Sequence, residues 1–327
     1  MRPRLTVDSY VAGILNRNRV VLSQAITLIE SRLPADRILA QQVLEHILSH
    51  TGNSLRIGIT GVPGVGKSTF IEAFGQHITS LGKTIAVLTV DPSSQRSGGS
   101  ILGDKTRMDT LSHNPLAYIR PTAAGDSLGG VAHRTREAML LCEAAGFDLI
   151  LIETVGVGQS ETLVRSMTDF FLLLMLAGAG DELQGIKKGI MEMADALAIT
   201  KADGPNRAVA ERAVSEYRNA LHLFPAAESG WIVPVLTCSA QENTGIVELW
   251  DMIQRYESQT RHNGFFDLNR QNQNLDWLKS YVRHELEERF LNHPQIREQW
   301  ITTQHTVQQG QELPLAAAER LLNLFFK

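Results

Sequence analysis

The chain has 327 residues, of which 43% are hydrophobic and 20% charged, with a net charge of −4. That size suits one large α/β domain plus accessory helices, or two domains, and gives ample core without disulfide or metal staples. The absence of a global basic field argues against nucleic acid or an anionic membrane as partner, so any phosphate recognition has to be local.

Residues 10–50 place Val20, Val21, Ala25, Ile26, Leu28 and Ile29, then Ile38, Leu39, Val43, Leu44, Ile47 and Leu48, at helical spacing. With Pro34 and Asp36 as a turn and a helix start, two N-terminal helices are expected. From Leu55 onward, apolar or β-branched runs predict strands at 55–60, 84–90, 148–153, 170–177, 196–200 and 232–237. Helix-like stretches lie between them at 68–81, 130–146, 206–221 and 244–257. Continuous apolar strands alternating with helices predict a mainly parallel sheet covered on both faces. Beyond about residue 260 the chain turns polar. Residues 259–273 read as a linker, and Trp277, Leu278, Tyr281, Val282, Leu286 and Phe290 form one apolar stripe before a last helix. The expected division is an N-terminal helical extension over 1–52, a P-loop domain over 53–258 and a C-terminal helical arm over 259–327.

The two cysteines, Cys142 and Cys238, are far apart and form no CxxC, which fits a reducing cytoplasm rather than a disulfide or zinc framework. Cys142 shares a helical stretch with Ala138, Leu141 and Ala145 and is expected in a core; His113 and His133 read as ordinary isolated histidines. Residues 1–5 carry no secretory h-region, and the longest apolar run, 170–178, is too short to span a bilayer. A soluble cytoplasmic protein is expected.

The chemistry centres on Gly61, Val62, Pro63, Gly64, Val65, Gly66, Lys67 and Ser68, followed by Thr69: a full G-x-x-x-x-G-K-S/T match between a strand and a helix. Glycines there let backbone N–H groups curl around phosphates, and the helix N-terminus adds its positive end. Lys67 is expected to reach the β- and γ-phosphates and Ser68 to ligate Mg²⁺. Asp91 closes a predicted strand, and the polar, glycine-rich stretch 92–104 suits a switch loop, with Asp104 and Arg107 candidates to face the nucleotide. Glu153 closes the next strand in the Walker B position, and Gly156 can offer its N–H to the γ-phosphate.

Thr200, Lys201, Ala202 and Asp203 resemble the guanine-reading N/T-K-x-D signature, and Ser239 and Ala240 follow the last strand as a base-backing loop does. An Asp carboxylate can accept from both N1–H and the exocyclic amine of guanine, a donor pair that adenine lacks. Thr200 stands where Asn is usual, which is expected to loosen the hold on the base. A helical stretch, 130–146, separates the strands ending at Asp91 and Glu153, so those strands should run parallel. That places the chain with the SIMIBI-type GTPases, the class of signal-recognition-particle and metallochaperone GTPases.

On Gly61–Ser68, Val90–Ser94, Ser97–Met108, Ile152–Glu161 and Asp181–Gly189, the sequence resembles the MeaB/ArgK family, GTPase chaperones of adenosylcobalamin-dependent methylmalonyl-CoA mutase. The resemblance spans roughly residues 15–325. It implies a homodimer that turns GTP into GDP with Mg²⁺, with Asp91, Asp104 and Glu153 lining the metal site. It also implies a third switch over 178–189, in which Asp181, Glu182, Lys187 and Lys188 sense the nucleotide or touch the mutase, and a C-terminal dimerisation arm. Slow turnover is expected, since the sequence shows no assured catalytic Gln or arginine finger. A kinase that transfers the γ-phosphoryl group, as an older label for the family suggests, is the alternative. A nickel-insertion GTPase would need Cys or His clusters that this sequence lacks, and a non-catalytic regulatory module is the third reading.

Overall fold

The computed structural model describes residues 4–90, 108–122, 128–154, 160–178 and 184–326. Seven strands form one parallel sheet: β1 (Leu55–Gly61), β2 (Ile85–Val90), β3 (Ala117–Thr122), β4 (Leu149–Thr154), β5 (Phe170–Leu176), β6 (Ala196–Thr200) and β7 (Val235–Thr237). Their order is β3-β2-β4-β1-β5-β6-β7. The expected parallel relation holds, with β2 pairing β4 directly from Ile85 opposite Leu149 to Val90 opposite Thr154.

The strands are mainly apolar because successive side chains serve opposite faces, both of them covered. Ile57, Ile59, Leu151 and Leu172 pack under α4 (Lys67–Ser80) and the helix Ile246–His262. On the other face Leu88, Ile150, Ile152 and Phe171 pack under Leu128–Ala144 and the N-terminal helices. Leu173, Met175, Leu197 and Ile199 share a third cluster with Arg207–Leu221. Gly58, in the middle of β1, is there for closeness: a Cβ on it would lie 2.7 Å from Phe171 and 2.8 Å from Val164.

Three aspartates standing one residue before a strand fasten the sheet's other end. Asp148 accepts the Thr84 N–H at 2.7 Å, Asp169 that of Arg56 at 2.8 Å, and Asp195 that of Phe171 at 2.9 Å. Such buried amides need partners at a sheet's rim, and a carboxylate is a strong one.

The structure departs from the expected elements in three places. The N-terminus holds three helices, α1 (Val7–Leu15), α2 (Arg19–Ile29) and α3 (Pro34–Ile47). The first buries Tyr10 and Ile14, and its Gly13 approaches Val21 so closely that a Cβ would stand 2.5 Å from Cγ1; the two expected helices rested on apolar positions from Val20 onward and so left it out. Strand β3 was unexpected because Arg120 and Pro121 interrupt its pattern. As the edge strand it tolerates the proline, and Arg120 pairs with Glu30 at 2.7 Å. The expected linker is helical: one helix runs to His262, Asn263 and Gly264 turn the chain, and the next helix spans Phe265–Asn292. It reads as polar because its contacts are polar, Arg270 bonding Asp169 twice at 2.7 Å and Gln273 donating to the Thr168 carbonyl at 2.8 Å.

The chain divides into two compact units, Met1–Gln273 and Asn274–Lys327. In the second, Phe290 meets Trp300 and Phe325 edge-on, at centroid distances of 6.3 and 5.3 Å, beside buried Ile296, Ala317 and Leu321. Leu278, Tyr281, Val282 and Leu286 of the apolar stripe remain exposed. No helix among the described residues is long and apolar enough to cross a membrane.

Candidate functional site

At the carboxyl end of β1 the chain makes the loop expected from the motif and enters α4 at Lys67. Gly61 approaches β5 so closely that a Cβ would lie 2.5 Å from the Leu174 carbonyl oxygen. Gly64 and Gly66 adopt φ of +79° and +98°, the left-handed region that glycine enters at little cost. Val62 and Pro63 carry the chain around the bend, closed by the Val65 N–H donating to the Val62 carbonyl at 3.2 Å. Gly66 is the N-cap of α4 and offers no side-chain cap, so the first turn, Lys67 to Thr69, begins without that partner.

Lys67 is buried and folds back to donate to the Gly61 carbonyl at 2.7 Å and that of Val62 at 3.4 Å. Burial lowers its pKa, opposed by the charges of Glu153 and Glu161. Glu161 had no role in the sequence reading, yet it is a buried carboxylate near this lysine. Its signal was faint, an acidic residue in a short helix, Ser160–Arg165, rather than at a strand end.

Glu153 sits on β4 beside Ile59 of β1 and Thr89 of β2, buried, and accepts from the Ser68 hydroxyl at 3.3 Å. Two hard oxygen donors on adjacent elements suit a small divalent cation such as Mg²⁺. Among the described residues no cluster of three or more His, Cys, Asp or Glu could hold a metal. Asp91, Asp104, Arg107, Gly156, Asp181 and Glu182 lie outside the described residues, and Lys187 and Lys188 are described only as backbone in the helix Gln184–Met193.

The candidate base-reading residues meet the same loop from its other side. The Thr200 hydroxyl lies 2.7 Å from the Val65 carbonyl and 3.2 Å from that of Met175, and Lys201 donates to the Gly64 carbonyl at 2.8 Å. Lys201 takes a positive φ of 55°, turning the chain toward Asp203. Asp203 accepts from Ser239 at 2.6 Å, and the Ala202 N–H donates to the Cys238 carbonyl at 3.1 Å. A pocket opens among Thr69, Phe70, Thr200, Lys201, Asp203 and Ala240. Cys238, expected only as one of two separate thiols, also lines it, as do Asn206 and Gln241, which the sequence did not single out. Their position beside Asp203 and Ala240 was the one available signal.

The sequence matches the family described as "Methylmalonyl Co-A mutase-associated GTPase MeaB" over residues 22–295. It is 49% identical to a "Putative GTPase" of Caulobacter vibrioides, covering 99% of both chains. It is 45% identical to the mouse "Methylmalonic aciduria type A homolog, mitochondrial", over 98% of this chain and 79% of that one. A solved structure described as "LAO/AO transport system kinase" matches all of both chains at 36% identity and a TM-score of 0.77. On sequence, fold and loop geometry together, the chain belongs to the MeaB family of GTPases.

Proposed function

We propose that this protein binds Mg²⁺·GTP in the loop from Gly61 to Thr69, hydrolyses it to GDP and phosphate, and acts as a G-protein chaperone for an adenosylcobalamin-dependent methylmalonyl-CoA mutase. The observation that carries the reading is the joining of three sequence-distant parts. Ser68 reaches Glu153, Thr200 and Lys201 hold the carbonyls of Val65 and Gly64, and Ser239 holds Asp203.

The amides at the start of α4 receive the phosphate oxygens, where the helix dipole also favours negative charge. Lys67 exchanges its carbonyl partners for the β- and γ-phosphates, and so regains in charge pairing what burial takes from its ammonium. Ser68 and Glu153, with Asp91 and Asp104 from the neighbouring segment, would hold Mg²⁺, which when bound neutralises charge on the phosphates. Asp203 accepts from the N1–H and 2-amino group of guanine, while the Lys201 stem lies along the base. Arg107 and Gly156 are the candidates, from the sequence, for contacts to the γ-phosphate.

Segments 91–108, 154–162 and 178–190, with Asp181, Glu182, Lys187 and Lys188, report the nucleotide state to the mutase, gating cofactor loading or protecting the enzyme. The exposed stripe Leu278, Tyr281, Val282 and Leu286 supports a homodimer built through the C-terminal arm. The two buried thiols suit a reducing, cytoplasmic setting.

Lys67→Ala is expected to lower GTP turnover at least about 100-fold. Turnover equal to the parent's removes the loop from the mechanism. Incubation with γ-labelled GTP should release label only as free phosphate, and label on protein would favour the kinase alternative. Pull-down in GTP and then GDP, probed for the mutase, tests the partner.

A further inference from the structure

The base pocket is built around a residue that has spent its only donor. A Thr hydroxyl carries one proton, whereas an Asn amide carries two. Thr200 lines the pocket, yet it is buried and its hydroxyl sits between two backbone carbonyls, Val65 at 2.7 Å and Met175 at 3.2 Å. A carbonyl can only accept, so the proton is committed to one of them and none remains for an acceptor on a bound base.

The commitment orients the loop. The peptide joining Val65 to Gly66 is planar and trans, so drawing the Val65 carbonyl toward Thr200 aims the Gly66 N–H the opposite way. Lys201 draws the preceding carbonyl, Gly64, at 2.8 Å. Two consecutive residues at the end of β6 thus hold two consecutive carbonyls of the phosphate loop.

We propose that Thr200 is a positioning residue for the phosphate loop and that purine N7 goes unread in this protein, guanine being selected through its N1–H and 2-amino edge by Asp203. The proposal rests on the assignment of this pocket to guanine. N7 is an acceptor common to guanine and adenine. Its neglect therefore costs affinity for both purines and leaves the choice between them to Asp203. Other side-chain donors at the pocket, the Lys201 ammonium and the amides of Asn206 and Gln241, are exposed. A donor there exchanges one partner for water and adds little.

The test compares GTP with 7-deaza-GTP, in which N7 is replaced by C–H, by calorimetric binding to the wild-type protein. Affinities within about twofold of each other support the proposal, and a larger loss with the 7-deaza analogue overturns it. Thr200→Asn supplies a second N–H and is expected to prefer GTP over 7-deaza-GTP by about three- to tenfold. Equal binding by that variant overturns the link between the committed Thr200 proton and the neglect of N7. Thr200→Val is expected to lower kcat for both nucleotides alike and leave their affinity ratio unmoved, with Thr200→Ser restoring kcat. A changed ratio in Thr200→Val, or no restoration by Thr200→Ser, overturns the positioning role. Asp203→Asn separates failure of the pocket assignment from failure of this proposal: without a shift from GTP toward xanthosine triphosphate, the guanine reading itself fails.

Discussion

The Ser239 hydroxyl donates to Oδ2 of Asp203 at 2.6 Å and accepts the Glu242 N–H at 3.1 Å. The carboxylate that is to read the base is thereby held by the loop after β7. A carboxylate fixed before binding loses less freedom on meeting a ligand. Ser239→Ala is therefore expected to weaken GTP about 10-fold, in line with loss of one hydrogen bond to a charged group. Titration with a fluorescent guanine nucleotide checks it, and undiminished affinity would show that Asp203 needs no such support.

At the opposite end of the sheet, Arg270 holds Asp169 with two 2.7 Å bonds and also donates to the Ser54 carbonyl at 2.6 Å. The Asp169 side chain is fully buried, so removal of its partner strands a charge. Arg270→Ala is expected to cost about 3–5 kcal/mol of stability. Urea unfolding measures this, and a loss under about 1 kcal/mol would mean that the Arg56 N–H suffices for the carboxylate.

Desolvation drives the Glu137 carboxyl up to about 7, against the opposing charges of Arg134 and Arg37. A raised pKa means that the folded protein favours the protonated form. The stability it contributes is complete below about pH 4.5, is lost as the pH climbs to about 7, and stays lost above that. Glu137→Gln should raise Tm at pH 8 and flatten this part of the pH profile. An unchanged slope between those pH values would refute the shift.

Both cysteines are buried, and burial pushes the Cys238 thiol up to about 12 and raises that of Cys142 as well. Thiolate is the reactive form, so neither should label with iodoacetamide at pH 8 until urea unfolds the chain. Rapid labelling of Cys238 in the folded protein would show that the pocket it lines opens to solvent.

Much of this protein was legible because its information is local. The loop from Gly61 to Ser68 names its own geometry, since the phosphate cradle requires glycine where a Cβ would strike the Leu174 carbonyl oxygen. Six of the strands announced themselves as apolar or β-branched runs, as strands buried on both faces tend to be. Strand β3 stayed hidden because Arg120 and Pro121 are tolerated only at an edge, and edge position belongs to the assembled sheet. The polar stretch 259–273 misled for a related reason. Polar residues look solvated in sequence, and only the fold shows that Arg270 and Gln273 spend their hydrogen bonds inside.

The sequence by itself determined which chemical groups are present: a lysine and serine after a glycine loop, an acid ending a strand, an aspartate for a base. The tertiary structure alone decided how they are held, putting Thr200 against Val65 and Glu161 near Lys67 across spans the primary structure does not measure. Hydrogen bonds act over about 3 Å and depend on direction, so partners 135 residues apart become one device only when the sheet brings them to the same edge.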